Sequence, residues 1–375
     1  MENYAYHETE PENRRDTYEA QNVVDFTLNA NGRSLVPNSC KIVGEFVVLS
    51  DGAAAVAAGT LSTHKINHKA GIHSVVESCS LSTMNQGNLE SINNYARFVA
   101  MEETGTAYRD DYSNASKQVE LKAPDEVMAG LYCNQDPQTY FTDDATAVAA
   151  TRNTTFSFKP RCAINRFAGG NLSFAKTGQM KLSLTLARNL SALYGINLDP
   201  NVKYQLKNIK LCYVTVPSEA SPPPVLMNKT HNIKTSISSQ LANISANVPS
   251  SSVKGVSISF QLQSDENVAG IDNYKLQRLD GLTQLQFIFN DSLNKYINYQ
   301  LQSDSEILDH AIASFGSMGH SNVNVAQIAK ADSYIVGTAF ATFADFTRSS
   351  FDVQLKSSLA AAHNVYLYFH SSISL

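Results

Sequence analysis

Val216-Pro217-Ser218-Glu219-Ala220-Ser221-Pro222-Pro223-Pro224-Val225 divides a chain of 375 residues into about 215 and about 150, each within the size range of a single domain. Proline locks φ and removes a backbone donor, so three in succession can neither continue a helix nor sit inside a sheet ladder. Such a run takes an extended polyproline II path and acts as a short, semi-rigid spacer. On both sides the texture is the same, with short alternating apolar segments separated by Asn, Ser, Gly and Asp. The stretch therefore reads as a strap, residues 217–225, between two β domains.

After the strap, Val256-Ser257-Ile258-Ser259-Phe260-Gln261-Leu262, Leu285-Gln286-Phe287-Ile288-Phe289 and Phe351-Asp352-Val353-Gln354-Leu355 alternate with period two, the signature of half-buried strands. Val365-Tyr366-Leu367-Tyr368-Phe369 is a terminal strand whose aromatics are expected in core and interface rather than stacked on sugars. One helix is expected over 304–315. Ser303 and Glu306 form its capping box, Ile307, Leu308, Ala311, Ile312 and Phe315 its apolar stripe, and Gly316 its stop. Before the strap, strands are expected at 24–28, 42–49, 72–81, 154–158, 180–186 and 204–216, with helical spacing over 88–101 (Leu89, Ile92, Tyr95, Phe98, Val99). Residues 102–152 are least regular and read as a loop excursion. Strands dominate both portions, so the fold expected is all-β: two tandem antiparallel jelly-roll sandwiches, 21–216 and 226–375, with one or two short inserted helices.

Residues 1–20 form an N-terminal arm without an apolar period, expected to be disordered when left alone. Six acids there face only Arg14 and Arg15, a balance of −4 out of the chain's net −5. The remainder is nearly neutral and offers no basic stripe for phosphate neutralisation, which argues against nucleic-acid binding. Charged residues make up 17% of the chain, below the roughly 25% of ordinary domains, and Asn, Ser and Thr fill the gap. Five cysteines without a CxxC pair fit a reducing compartment better than a disulfide scaffold. No N-terminal apolar segment and no run of 18 apolar residues suggest secretion by a standard signal or a membrane span.

Little in the chain points to chemistry. His64, His68 and His73 are the nearest thing to a metal cluster, but Asn67, Gly71 and Val75-Val76 interrupt the helix that would align them, so loop and core histidines are the preferred reading. The pairs Glu102-Glu103, Asp110-Asp111 and Asp143-Asp144 lack EF-hand spacing and read as solvated loop charge. Gly169-Gly170-Asn171 reads as a turn, and no Gly-x-Ser-x-Gly elbow is present. No cofactor and no catalytic set is expected. A carbohydrate- or receptor-binding tandem sandwich remains the alternative, weakened by the absence of tryptophan. A β-sandwich hydrolase would need titratable groups converging in a cleft.

Several collinear stretches resemble the double jelly-roll major capsid proteins of icosahedral DNA viruses, the lineage of tectiviruses, adenovirus, virophages, Polintons and adintoviruses. They are Gly71-Ile72-His73-Ser74-Val75-Val76-Glu77-Ser78-Cys79-Ser80-Leu81 with the Tyr-bearing segment 92–98, then 176–188, then Ile209-Lys210-Leu211-Cys212-Tyr213-Val214-Thr215-Val216-Pro217, and in the second portion 282–290 followed by the 304–315 helix. The resemblance places His73 on a strand. It implies a homotrimer with six similar lateral faces, tiling an icosahedral shell as pseudo-hexameric capsomers. It implies a virion protein made inside the host cell, with neighbouring capsomers and penton and minor capsid proteins as partners, and it allows a membrane beneath the shell. The arm would then order against a neighbour, with Tyr4, Tyr6, Arg14, Arg15 and Tyr18 as interface residues. Abundant neutral polar side chains suit wet, reversible contacts.

Overall fold

The computed structural model describes residues 3–50, 54–55, 65–124, 154–195, 198, 200–290, 296–328, 332–347 and 349–375. Period-two alternation sorts side chains as expected: on the strand Ser350–Lys356, Phe351, Val353 and Leu355 are buried, while Asp352 and Gln354 between them are half-buried. Beyond the strap, one sheet holds Leu226–Ile237, Val253–Leu262, Val336–Ala344 and His363–Ser374, and a second holds Leu241–Ala246, Gln284–Asn290, Tyr296–Leu301 and Ser350–Lys356. The chain crosses between these sheets at every step except from Gln284–Asn290 to Tyr296–Leu301, which is the jelly-roll wrap.

Before the strap, Val23–Leu28, Met180–Leu186, Val76–Thr83 and Gly87–Asn93 lie side by side. The opposing sheet is built around Lys41–Ser50 and the long strand Lys203–Pro217. Gly87–Asn93 also runs parallel to Leu226–Ile237, touching at Ser91 and His231, so a single nine-stranded sheet passes through both halves. The fold is double jelly-roll.

The strap does not separate two independent cores. The first cluster, built on Phe26, Phe46, Leu81 and Tyr204, also takes Val225 from the end of the strap and Met227, Ala311, Phe315, Tyr366 and Tyr368 from beyond it. On His363–Ser374 the alternation divides the side chains between the cores: Tyr366 and Tyr368 enter the first, while Val365, Leu367 and Phe369 enter the second. The helix Asp304–Ser317 bridges in the same way, with Ile307 in one and Ala311 and Phe315 in the other. Its Ser303–Glu306 capping box is formed, and it runs past Gly316 by one residue.

Gly105 is what lets this helix approach its neighbour, Tyr95–Thr106: a Cβ there would lie 2.1 Å from the Phe315 ring. Gly105→Ala should therefore cost about 1–3 kcal/mol through overpacking, although alanine is the better helix former. Urea unfolding checks this, and an unchanged or raised midpoint would contradict it.

Four expectations need correction. The arm is not free: Ala5–Thr9 pairs with Thr215 to Leu211, Tyr18–Glu19 pairs with Leu206 and Gln205, and Tyr18 is buried. An unpaired strand edge, to which composition is blind, offers backbone hydrogen bonds to a polar segment. The span 88–101 is not all helix, because Gly87–Asn93 is a strand and the helix begins at Tyr95 after Asn94 in the left-handed region. His73 lies on a 3-10 turn, Gly71–Val75, and not on a strand. That turn starts at Gly71 with φ of +58°, where a Cβ would meet the Glu120 carbonyl at 2.2 Å. Glu102 and Glu103 are no solvated loop but buried residues of the helix Tyr95–Thr106.

Candidate interface surfaces

The free edge of Lys203–Pro217 is where the N-terminal residues converge. Ala5–Thr9 and Tyr18–Glu19 cover this edge in two places, and between them the strand slips register at Lys207 to Lys210, with Asn208 in the left-handed region. The gap opens a hollow of about 300 Å³ lined by Arg14, Arg15, Tyr18, Asn208, Ile209 and Lys210, among others. Three of the expected interface residues thus share one concavity. Arg14 is exposed and pairs with Glu10, Arg15 donates to Asn22 Oδ1 at 3.1 Å, and the Tyr18 hydroxyl donates to the Asn13 carbonyl at 2.9 Å.

Tyr4 and Tyr6 lie apart from that hollow, on the solvent side of the new edge strand, 62% and 56% exposed. Tyr6 covers Cys212, and a hydrogen bond with that thiol, together with burial, pushes its hydroxyl up to about 12. On the other face His7 stacks on Tyr213 with ring centres 4.8 Å apart, and its Nε2 lies 2.8 Å from Thr215 Oγ1. Glu8 pairs with Lys210 at 3.3 Å. The N-terminal segment is thus pinned by His7 and Glu8 and carries two largely exposed aromatic rings, that of Tyr6 with Lys41 Nζ 6.0 Å from its centre, the amphipathic type favoured in contact surfaces.

Buried ionic groups cluster where the halves meet. Glu102 accepts from Arg166 Nη2 at 2.5 Å and lies 2.7 Å from His320 Nε2, which follows the Asp304–Ser317 helix. Glu103 and Glu120 share Lys122 at 2.9 and 2.7 Å, and Lys117 also holds Glu103. Burial alone would raise all three carboxyls, but the cations outweigh it and hold each below its ordinary value. Glu102–His320 ties the halves across the joint, whereas the pairs of Glu103 and Glu120 with Lys117 and Lys122 brace the first half. Sequence spacing gives little sign of them, since their partners come from distant segments.

Burial also lowers His7, His73, His231, His310 and His370 from 6.5, with His73 and His231 at about 4 and His370 at about 3. The unfolded chain binds those protons first, so their contribution is complete above pH 6.5 and lost as pH falls toward 4. The three depressed carboxyls add a further loss below about 4.5. Glu90, raised to about 7 by burial although the N–H groups of Ala163 and Thr230 donate to it and work the other way, acts oppositely, its contribution being present below 4.5 and lost as pH rises to 7. Glu77, which burial also raises, acts in the same direction as Glu90, but the lowered histidines outnumber the two raised glutamates, so stability should fall from pH 7 to pH 4. Urea midpoints across that range check it, and a flat or rising series would contradict it.

A polar cleft of about 480 Å³ also lies between the halves. Arg97, Lys234 and Glu266 in it are already engaged. Arg97 donates to the carbonyls of Lys275 and Asn273 and lies under the Tyr366 ring, and Lys234 holds Glu266 at 2.6 Å. Among the described residues no three His, Cys, Asp or Glu side chains are placed to hold a metal. His64, Asp143, Asp144 and Cys133 lie outside the described residues, while Asp110-Asp111 is exposed as expected. Cys40, Cys79, Cys162 and Cys212 are buried free thiols. Among the described residues no helix is long and apolar enough to cross a membrane.

No protein-family profile and no curated protein matches the chain. Solved structures do. The Faustovirus major capsid protein is similar over 100% of this chain and 90% of its own, at 8% identity and a TM-score of 0.62. PBCV-1 VP54, fitted into a reconstruction of the virophage Sputnik, is similar over 100% and 95%, at 12% identity and 0.58. The mavirus major capsid protein is similar over 99% and 90%, at 9% identity and 0.50. From end to end, this chain has the double jelly-roll fold of those viral capsid proteins.

Proposed function

We propose that this chain is the major capsid protein of an icosahedral virus and works by fitting against copies of itself, with no enzymatic step. The observation that carries the reading is the pairing of two sandwiches in one block, similar over its whole length to capsid subunits. Two like sandwiches side by side give a protomer two comparable lateral faces, so three protomers make a capsomer with six. The units proposed are 21–216 and 226–375, joined by the strap 217–225. The edge carrying Tyr4 and Tyr6, with the hollow at Arg14, Arg15 and Tyr18, is the proposed contact between copies. Neighbouring capsomers, penton and minor capsid proteins would be the partners in the virion, above an internal membrane where the virus has one.

Sedimentation of the purified chain tests the oligomer. The expected species is a trimer. Tyr4→Ala with Tyr6→Ala should weaken it while costing the protomer little thermal stability, because both rings are largely exposed. A monomer at all concentrations would contradict the reading.

A further inference from the structure

Beside the strands Lys41–Ser50 and Thr154–Phe158 lies a third hollow, of about 350 Å³. Lys41, Lys159, Arg161 and Arg166 line it against one carboxylate, Glu120. That carboxylate is already held by Lys122 at 2.7 Å, and Arg166 is held by Glu102. Lys41 and Lys159 make no ion pair with any described residue, and Lys159 is exposed. The Arg161 guanidinium is only half engaged: its Nη2 stops 4.0 Å from Glu103 and 3.9 Å from Glu120, and its buried Nε has no hydrogen-bond partner among the described residues. The guanidinium thus has a buried, unused N–H and only long carboxylate contacts, and it stands beside two ammonium groups without an ion pair among the described residues. Ser116 and Ser157 add hydroxyls to the same wall.

We propose that this hollow is an oxyanion site for a phosphate or phosphate monoester, bound by Arg161 with Lys41 and Lys159. A tetrahedral dianion supplies acceptors for the Arg161 fork and balances the excess positive charge, whereas a metal cation would be repelled. The volume exceeds that of inorganic phosphate and leaves room for an ester substituent. Lys41 Nζ also lies 6.0 Å from the centre of the Tyr6 ring, so the hollow adjoins the proposed contact edge, but anion binding there does not depend on the assembly role.

Thermal unfolding of the full chain in inorganic phosphate tests it, with chloride at equal ionic strength as reference. Phosphate should raise Tm where chloride does not, and calorimetry should give one site per chain. In the double variant Lys41→Gln, Lys159→Gln, affinity should fall roughly tenfold, while Tm without phosphate stays unchanged because neither side chain is in the core. Should the double variant fail to fold, Lys159→Gln alone, at an exposed position, carries the test. Equal shifts in phosphate and chloride, or unaltered affinity in the variants, would overturn the proposal. Glycerol 3-phosphate and vesicles containing phosphatidic acid distinguish the source. Binding of the soluble ester without pelleting assigns a free phosphate, and vesicle pelleting that Lys159→Gln weakens assigns a lipid headgroup.

Discussion

Phe315→Ala should lower the free energy of unfolding by roughly 3–5 kcal/mol, among the largest effects of any single side chain here. Phe315 is fully buried and belongs to a helix from beyond the strap, yet its ring sits in the first core against Gly105. Truncation opens a cavity at the joint, and the surrounding backbone cannot collapse into it, since it is held by a sheet on one side and by the Tyr95–Thr106 helix on the other. Both halves should lose stability together. Urea unfolding followed by fluorescence of the scattered tyrosines reads this, and a loss below about 1 kcal/mol, or a change confined to one half, would contradict shared packing.

Lys122→Ala should cost a similar amount, roughly 3–5 kcal/mol, for a different reason. The lysine is fully buried between Glu103 and Glu120, and removing it leaves two buried carboxylates leaning on Lys117, Arg161 and His73. Uncompensated buried charge is what makes breaking such a group costly, so Lys122→Met, which restores most of the volume, should rescue little. Replacing Glu103 and Glu120 by Gln as well should recover much of the loss. If Lys122→Met proved as stable as the parent, packing and not charge would explain the effect. The exposed Arg14–Glu10 pair is the contrast, and its loss should be barely measurable.

Residues whose roles follow from local pattern are legible in the sequence alone. Met180–Leu186 alternates buried and half-buried side chains without a break, and Ser303 with Glu306 marks the start of the Asp304–Ser317 helix. What stays hidden depends on partners far along the chain. Glu102 carries no local mark that Arg166 and His320 will enclose it, so its neighbours in sequence point to solvation. Leu89 and Ile92 fit a helical spacing, but pairing with Leu226–Ile237 and Val76–Thr83 draws them into a strand. The N-terminal residues lack an apolar period because their ordering comes from backbone bonds to an open edge. Of the expected interface residues, Arg14, Arg15 and Tyr18 are brought together, whereas Tyr4 and Tyr6 form a separate exposed pair.

Tyr366 and Tyr368 show why the strap is an incomplete boundary. Strict alternation announces a strand with two faces, and both faces are covered because the two sandwiches share one sheet. Such sharing fixes the halves against each other, as the proposed role of a shell subunit with defined lateral faces would require.

Electron microscopy of the purified protein puts the proposed role to its most direct test. The account predicts three-fold particles with a near-hexagonal outline, closing into shells or sheets as concentration rises. Isolated single protomers under every condition, with neither trimers nor lattices, would contradict it.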